Sequence, residues 1–400
     1  MTRHNVRGGR VLLKDGWSAD GTLAVAEGAI ASVEPGDHPG QAWDATGLLV
    51  LPGVVDIHGD AFERQIMPRP GVQFDLDLAL RDTDRQLIAN GVTTAFHAVT
   101  WSFEPGLRGA ENARALVKAL DRLRPQLSAD ARLHLRWETF NLAAEPEILR
   151  WIDGGEIDFL AFNDHTPPMM QRLDSPKHMQ RYAERSGLDA DAFAALLTSV
   201  WARRDEVPGA IERLASRAKA AGVPMASHDD DSPATRAAFR AMGCAVAEFP
   251  LTRETFDAAH HAGDPIVMGA PNVVRGGSHL SGVSASEMVG RRICTVLASD
   301  YYYPTLIQAA FRLAHDGVAP LEEAWALIST NPAVATGLRD RGALAPGMRA
   351  DFILVDDQIP GQPRVVATFV AGEPVFMDRA AVARLQPAKE KSHAARSSHL

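Results

Sequence analysis

The central part of the chain alternates short apolar segments with longer segments in which apolar residues recur at helical spacing. The helical spacing is clear over residues 110–124 and 210–221. Eight apolar segments have the length and composition of buried strands: 54–58, 93–99, 132–138, 159–164, 224–228, 246–249, 266–270 and 295–300. This alternation is typical of a parallel sheet, and eight such strands close a barrel. The pattern therefore predicts an α/β fold, with a (β/α)8 TIM-like barrel over residues 53–342.

Both ends of the chain show a different pattern. Short β-rich pieces separated by glycine turns fill residues 10–50, and similar pieces return over residues 350–376. We expect the two ends to form one small β-sandwich domain from residues 1–52 and 343–385. Residues 386–400 have almost no apolar content, which indicates a disordered tail. The stretch 167–205 is longer than one crossover needs, and we expect it to cover the strand ends as a lid.

Composition narrows the class of protein. Hydrophobic residues make up 46% of the chain and charged residues 23%, as in an ordinary globular enzyme. The formal net charge of −9 argues against a nucleic-acid partner. No apolar run reaches the roughly 18 residues that a membrane helix needs, and the first residues lack the apolar core of a signal peptide. We therefore expect no membrane partner and a cytoplasmic location.

Polar side chains at the ends of the predicted barrel strands are the candidates for chemistry, because barrel active sites lie at the carboxyl ends of the strands. The first strand ends in His58-Gly-Asp60, and residues two apart share a face of a strand. His58 and Asp60 can therefore hold one metal ion. The alternative is a polar pair satisfied near a turn.

The third strand has an unusual polar face. His134, Arg136 and Glu138 alternate with apolar residues, so all three point to the same side. Charged groups inside a barrel must be paired or bound to metal. Glu138, nearest the end of the strand, is the predicted bridging ligand, and an Arg136–Glu138 salt bridge is the alternative.

Three more strand ends carry metal-ligand side chains. His165 follows the fourth strand, His228 ends the fifth, and Asp300 ends the last. Imidazole and carboxylate together suit Zn²⁺, and also Mn²⁺, Fe²⁺ or Ni²⁺. An aspartate at a metal site can take a proton and deliver it to a leaving group, which is the catalytic role predicted for Asp300. The alternative for Asp300 is a helix N-cap.

These residues sit in longer motifs that resemble the amidohydrolase superfamily across nearly the whole chain. The motifs are Leu-Pro-Gly-x-x-Asp-x-His ending at His58, the Ser-Asp element ending at Asp300, and Gly-Ala-Leu-Ala-Pro-Gly-Met-Arg-Ala-Asp ending at Asp351. Longer strings, such as Arg132-Leu-His-Leu-Arg136 and Ala247-Glu-Phe-Pro250, are similar to the diphosphatases of phosphonate degradation within that superfamily. The resemblance implies two divalent ions, with zinc as the first choice. It also implies hydrolysis of α-D-ribose 1-methylphosphonate 5-triphosphate to the 5-phosphate and pyrophosphate.

A small phosphorylated substrate needs cationic or hydrogen-bonding contacts. The candidates lie in loops that would surround the strand ends: Arg69, Arg172, Lys177, Arg275 and His279. The guanidinium group of arginine suits phosphate oxygens. Ordinary loop salt bridges are the alternative for the arginines and the lysine.

Two other functions remain open from the sequence. The first is a hydrolase that opens a cyclic amide or removes an N-acyl group, in which Asp300 protonates a leaving nitrogen. The second is a non-catalytic scaffold in an assembly, which predicts missing metal ligands. All six predicted ligands, His58, Asp60, Glu138, His165, His228 and Asp300, are present. A homo-oligomer is compatible with the sequence.

Overall fold

The computed structural model describes residues 3–36, 38, 40–184, 186–276 and 283–386. The strands are β1 Arg3–Leu13, β2 Gly16–Ala26, β3 Ala29–Ser32, β4 Gln41–Asp44, β5 Leu49–Pro52, β6 Val54–Gly59, β7 Val92–Trp101, β8 Asp130–Glu138, β9 Phe159–Asn163, β10 Met225–His228, β11 Val246–Glu248, β12 Ile266–Gly269, β13 Val296–Ala298, β14 Phe352–Asp356, β15 Arg364–Val370, β16 Glu373–Met377 and β17 Leu385–Gln386. They form two sheets within these residues.

Strands β6 to β13 form the predicted barrel. They pair in chain order as a parallel eight-stranded sheet. An isolated parallel bridge between Gly59 and Asp300 joins the first strand to the segment after the last. All eight strands predicted from the apolar segments are confirmed, and so is the TIM-like fold class.

Helices connect the strands and cover the barrel. The α-helices are α1 Glu63–Ile66, α2 Leu76–Ala89, α3 Ala110–Leu123, α4 Glu145–Gly154, α5 Thr166–Met170, α6 Pro176–Ala183, α7 Ala190–Trp201, α8 Val207–Ala221, α9 Pro233–Met242, α10 Arg253–His261, α11 Ala270–Arg275, α12 Ala285–Gly290, α13 Thr305–His315, α14 Leu321–Ala326, α15 Thr330–Ala335 and α16 Arg379–Arg384. Short 3-10 turns occupy Gly106–Arg108, Arg124–Gln126, Leu142–Ala144 and Arg204–Glu206. Among the described residues, no helix combines the length and apolar character that a membrane crossing requires.

The two ends of the chain meet in a separate mixed sheet. β14 pairs antiparallel with β5, so residues 300 positions apart in sequence share one sheet. β1, β2 and β3 extend this sheet on one side, and β15 and β16 extend it on the other. The predicted terminal domain is thus confirmed as one mixed sheet, and its exact boundaries stay a prediction. Residues 387–400 of the predicted tail lie outside the described residues, whereas Gln386 ends β17, which pairs with β4.

The barrel has an apolar interior below the strand ends. One buried cluster draws side chains from seven of the eight strands, including Val55, Phe96, Phe159, Val246 and Val296. Because its members come from all around the barrel, the cluster fills the interior, as barrel interiors are generally filled. β8 is the strand absent from this cluster, and it contributes the polar His134 and Arg136 instead. The side chains of His134 and Arg136 therefore lie among apolar neighbours.

The stretch predicted to be a lid forms α5, α6 and α7. These helices share a small apolar core of their own, built from Met169, Met179, Phe193 and neighbouring residues. The Trp201 ring stacks on Phe140 with ring centroids 5.5 Å apart, which anchors the end of α7 beside β8. A lid function stays a prediction.

Candidate metal centre

The six predicted ligands all lie at the carboxyl ends of barrel strands or in the residues that follow directly. The closure between the first and last strands holds three of them, His58, Asp60 and Asp300. The Asp300 amide donates to the His58 carbonyl and the Asp60 amide donates to the Asp300 carbonyl, both at 2.9 Å. Asp300 has a φ of +54°, a strained conformation for a residue with a side chain. Such strain is often found at functional sites.

The structure gathers potential ligand atoms into three groups, each within 4.8 Å. The groups are His58 with Asp60 and Asp300, His165 with His228 and Asp229, and His58 with His134 and Glu248. The first two groups unite five of the six predicted ligands. Asp229, His134 and Glu248 were missed as ligand candidates by the sequence analysis.

The first group places two carboxylates close together. Burial, and then the neighbouring Asp60, raise the pKa of Asp300 to about 6. The helix that follows begins at Thr305 with Pro304 at its N-cap. Asp300 is therefore not a helix cap, and its side chain faces the site.

The second group joins the ends of β9 and β10. His165 Nε2 lies 3.4 Å from Asp229 Oδ2, and His228 Nε2 lies 3.7 Å from Asp229 Oδ1. Burial alone would raise the pKa of Asp229, but His228, and then His165, hold it below its usual value. Asp229 has a φ of +57° and begins a run of three aspartates after His228. That run at a strand end was the signal that could have identified it.

Glu138 contacts the second group rather than joining it. Its Oε1 lies 2.6 Å from His165 Nδ1, and the His165 amide lies 3.4 Å from Oε2. Burial opposes the charge of Glu138, but His165 holds the pKa of this carboxyl below its usual value. Burial would lower the pKa of His165, but Glu138, and then Asp229, raise it to about 9. The role of Glu138 as a bridging ligand stays a prediction.

Glu248 lies at the centre of the third group. It is fully buried, with Oε1 3.1 Å from His58 Nδ1 and Oε2 3.2 Å from His228 Nδ1. Burial opposes its charge, but His58, and then His134, keep the pKa of Glu248 well below its usual value. The Ala247-Glu-Phe-Pro250 string noted in the sequence was the available signal, although it indicated no role.

Arg136 brings a buried cation to the same place. Its Nη1 lies 3.3 Å from Asp60 Oδ2 and its Nη2 lies 3.3 Å from His228 Nε2, so it spans the first two groups. Its Nε has no hydrogen-bond partner in the described part of the chain. Arg108, from the 3-10 turn after β7, lies 4.0 Å from Asp60 Oδ2 and forms hydrogen bonds of 2.8 and 3.0 Å with Glu63.

The predicted phosphate contacts lie farther out. Arg69, Arg172, Lys177 and Arg275 are all exposed. Arg275 Nη1 lies 3.3 Å from the Tyr301 hydroxyl, close to Asp300 in sequence, and Arg172 Nη1 lies 3.4 Å from the Tyr182 hydroxyl. His279 lies outside the described residues. These contacts stay predictions.

The donor set and its charge suit divalent cations. Asp60, Glu138, Asp229, Glu248 and Asp300 bring five carboxylates to the site, and Arg136 supplies one permanent positive charge next to them. His134 Nε2 is buried without a hydrogen-bond partner among the described residues. Buried carboxylates need counter-charge, and mixed imidazole and carboxylate ligands are typical of zinc and related ions. The residues present could therefore hold metal.

Comparisons with known proteins extend these observations. Residues 303–376 match the model of the amidohydrolase family. The chain is 32% identical over 346 residues to α-D-ribose 1-methylphosphonate 5-triphosphate diphosphatase from Escherichia coli (strain K12), covering 84% of this chain and 90% of that protein. It is also 40% identical over 89 residues to an adenine deaminase from Methylobacterium nodulans, covering 21% of this chain and 14% of the deaminase.

Solved structures share the fold. N-acetyl-D-glucosamine-6-phosphate deacetylase from Mycobacterium smegmatis aligns over 94% of this chain and 100% of its own, with a TM-score of 0.60 and 20% identity. A 5-methylcytosine deaminase from Klebsiella pneumoniae aligns over 94% of this chain and 97% of its own, with a TM-score of 0.62 and 15% identity. At such identities the likeness concerns the fold alone. The relative matched over 84% of the chain, together with the family model, shows that this protein is a hydrolase of the amidohydrolase superfamily.

Proposed function

We propose that this protein hydrolyses α-D-ribose 1-methylphosphonate 5-triphosphate to the 5-phosphate and pyrophosphate, using two divalent metal ions. The observation that carries the metal-dependent part is the pair of adjacent ligand groups at the strand ends, His58 with Asp60 and Asp300, and His165 with His228 and Asp229. The substrate is taken from the Escherichia coli relative, which aligns over 84% of this chain and 90% of its own length.

Each ligand group would hold one ion, and Glu138 is the proposed bridge between them. Zinc is the first choice because histidine and carboxylate ligands suit it, with manganese, iron and nickel as alternatives. When bound, two ions would supply a water of lowered pKa and neutralise charge on the attacking and leaving oxygens. The protein's own side chains would carry the proton and bind the phosphate chain.

Asp300 is the proposed proton carrier. Its carboxylate lies in the first ligand group and is held by the backbone hydrogen bonds between Asp300 and the first strand. During hydrolysis, a water oxygen bonds to the α-phosphorus and the bond from this phosphorus to the bridging oxygen of pyrophosphate breaks. The proton that the water loses passes to an Asp300 Oδ atom, from which it can reach the departing pyrophosphate.

Arg136 is the proposed inner contact for the phosphate chain. Its guanidinium lies between the two ligand groups, with Nη1 near Asp60 and Nη2 near His228. A cation in that place opposes the negative charge that builds on phosphoryl oxygens during transfer. Arg69, Arg275, Arg172 and Lys177 are proposed as outer contacts, with His279 as a further substrate contact. A small phosphorylated molecule is thus the proposed partner, and the cytoplasmic location and oligomeric state stay predictions.

Product analysis in labelled water tests the proposal. The protein, loaded with zinc or manganese, would be incubated with the ribosyl triphosphate and with nucleoside triphosphates in H₂¹⁸O. We expect pyrophosphate release, with ¹⁸O in the 5-phosphate product because water attacks the α-phosphorus. Label in the pyrophosphate, or release of inorganic phosphate alone, would contradict the proposed reaction.

Two controls complete the experiment. Asp300→Asn should retain bound metal but release no pyrophosphate, because an amide oxygen can ligate but the amide cannot take the proton. The competing hydrolase of cyclic amides or N-acyl groups would instead release an amine or open a ring in a matched panel of such substrates. Turnover of those compounds without pyrophosphate release from any triphosphate would favour that alternative.

A further inference from the structure

We infer that Glu248 is a positioning residue that fixes one histidine of each ligand group in the tautomer required for metal binding, and so couples the two ion sites through one carboxylate. The inference rests on the proposed metal-dependent function, since it concerns the same two ligand groups. Glu248 was not among the residues that the sequence predicted for the site.

The position of Glu248 is set by the barrel. It ends β11 and lies in register with His228, the last residue of the neighbouring strand β10. The Asp229 amide donates to the Glu248 carbonyl at 2.9 Å, which holds the ends of β10 and β11 together just beyond His228. Glu248 itself has no exposed surface. Its carboxylate is therefore held rigidly and shielded from water.

Each oxygen of this carboxylate serves a different histidine. Oε1 lies 3.1 Å from His58 Nδ1, and Oε2 lies 3.2 Å from His228 Nδ1. An ionised carboxylate can only accept hydrogen bonds, so both Nδ1 atoms must carry the proton. In the neutral imidazole, Nε2 is then left with the lone pair that a metal ion requires.

The packing of the His58 and His228 rings also indicates that one carboxylate orients both of them. The His58 and His228 rings stack with centroids 5.4 Å apart and planes 15° from parallel. The Phe249 ring lies edge-on to both, with centroids 4.9 Å from His58 and 5.3 Å from His228. Phe249 thus restricts rotation of the two rings away from Glu248. His58 belongs to the first ligand group and His228 to the second, so one carboxylate orients a ligand of each.

A competing interpretation makes Glu248 a ligand in its own right. His134 Nε2 lies 3.9 Å from Glu248 Oε2, and His134 Nδ1 lies 3.0 Å from the Ile57 carbonyl, which fixes the His134 lone pair on Nε2. An ion among His58, His134 and Glu248 would use that lone pair. We favour the positioning role because both carboxylate oxygens already lie at hydrogen-bond distance from Nδ1 atoms.

Replacing Glu248 by glutamine gives a sharp chemical difference. The amide has nearly the shape of the carboxylate but offers one acceptor and one donor group. One of the two histidines must then accept from the amide nitrogen through Nδ1, which moves its proton to Nε2 and removes that lone pair. We expect Glu248→Gln to keep one ion and to bind the other at least ten-fold more weakly, as is typical when a supporting partner of a metal ligand is lost.

The test combines metal analysis with histidine tautomers. Metal content and affinity would be measured for the parent, Glu248→Gln and the matched control Glu254→Gln, which alters an exposed glutamate on α10. Long-range ¹H–¹⁵N spectra of the metal-free proteins would report the tautomers of His58 and His228. We expect two Nδ1-protonated rings in the parent and in Glu254→Gln, and one in Glu248→Gln.

Several results would overturn the inference. Two ions bound to Glu248→Gln with parental affinity, or unchanged tautomers in that variant, contradict the positioning role. Loss of one ion in His134→Phe supports the competing ligand interpretation instead, whereas unchanged metal content supports positioning. If Glu248→Gln does not fold, Glu248→Asp keeps two acceptors and should retain both Nδ1-protonated tautomers, and a changed tautomer there would overturn the inference.

The tautomer measurement also separates this inference from the proposed function. A parent protein with both tautomers as expected, but without pyrophosphate release, would reject the diphosphatase proposal and leave the role of Glu248 intact. Pyrophosphate release from a parent in which either histidine carries its proton on Nε2 would support the diphosphatase proposal and reject the role of Glu248.

Discussion

Arg136 is the residue whose buried charge most directly faces the two ligand groups. Replacing it with methionine keeps much of the volume but removes the cation, so charge on the phosphoryl oxygens loses a stabilising contact. We expect kcat/KM for the triphosphate to fall about 100-fold, or ~2.7 kcal/mol, as for removal of one such donor in other enzymes. Steady-state kinetics of pyrophosphate release measure the effect.

Two further variants separate charge from geometry in this prediction. Arg136→Lys keeps the charge but loses the planar fork, so its activity should lie between those of the parent and the methionine variant. Arg172→Met removes an exposed arginine of the helical insertion and should cost far less. Equal losses in Arg136→Met and Arg172→Met would contradict an inner role for Arg136.

The burial of His97 makes the free energy of unfolding depend on pH. It is buried on β7 with its ring edge-on to Phe62, and burial lowers the pKa of His97 to about 4. Above pH ~6.5 both the folded and unfolded chains keep this imidazole neutral. As the pH falls toward 4, the unfolded chain binds a proton that the folded chain excludes, so the free energy of unfolding falls by up to about 1.4 kcal/mol per pH unit.

Urea unfolding of the parent and His97→Phe at several pH values between 7 and 4 checks this expectation. The variant should lose less stability than the parent over this range, because it lacks the titrating group while all other groups remain. Parallel curves for the two proteins would show that His97 does not titrate as described.

At the scale of elements, a buried arginine joins α9 to the strands that carry the site. Arg236 Nε lies 3.0 Å from Asp264 Oδ2, and its Nη1 lies 2.5 Å from Ser227 Oγ and 3.3 Å from the Val246 carbonyl. The side chain of Arg236 is 2% exposed. Since Ser227 and Val246 belong to β10 and β11, this arginine supports the strands that present His228 and Glu248.

We expect Arg236→Met to destabilise the protein by ~3–5 kcal/mol, because the buried Asp230, 3.5 Å from Arg236, would lose its cation and Asp264 would keep only an exposed arginine. Arg240→Met is the matched control on the same helix: Arg240 also contacts Asp264, at 2.8 Å, but its side chain is 52% exposed. Its loss should cost no more than ~1 kcal/mol. Urea unfolding compares the two, and similar losses would contradict the proposed support of the strands.

For the whole molecule, metal binding and folding should be linked. The ligand groups draw on β6, β10 and the segments after β9 and β13, so the ligands converge only in the folded barrel. Each ion that binds the folded chain alone adds ~2.7 kcal/mol at a free concentration of 100 times its Kd. We expect chelation to lower the Tm and added zinc or manganese to restore it.

Asp60→Asn provides the comparison for this prediction. It removes the charge of one carboxylate of the first group, so the rise in Tm with metal should be smaller than in the parent. Differential scanning calorimetry measures both shifts. The same shift in both proteins, or no shift in the parent, would contradict ion binding at the first group.

Local sequence patterns predicted much of the fold and part of the site. Alternation and apolar content located the eight strands, and the strand ends gave His58, Asp60, His165, His228 and Asp300, which the structure brings into the first two groups. Parity along β8 also indicated the inward face shared by His134, Arg136 and Glu138. These properties depend on near neighbours in the chain, which is why a sequence reveals them.

The contacts between strand ends were decided by the tertiary structure alone. His58 and Glu248 are 190 positions apart, and Arg136 and Asp60 are 76 apart, so their pairing depends on the stagger of strands around the closed barrel. Sequence indicated a bridging role as the prediction for Glu138 and a salt bridge with Arg136 as the alternative. The fold brings Glu138 to His165 and Arg136 to Asp60, and the bridging role stays a prediction. Periodicity specifies which face a side chain occupies, but only closure of the barrel specifies which atoms meet across it.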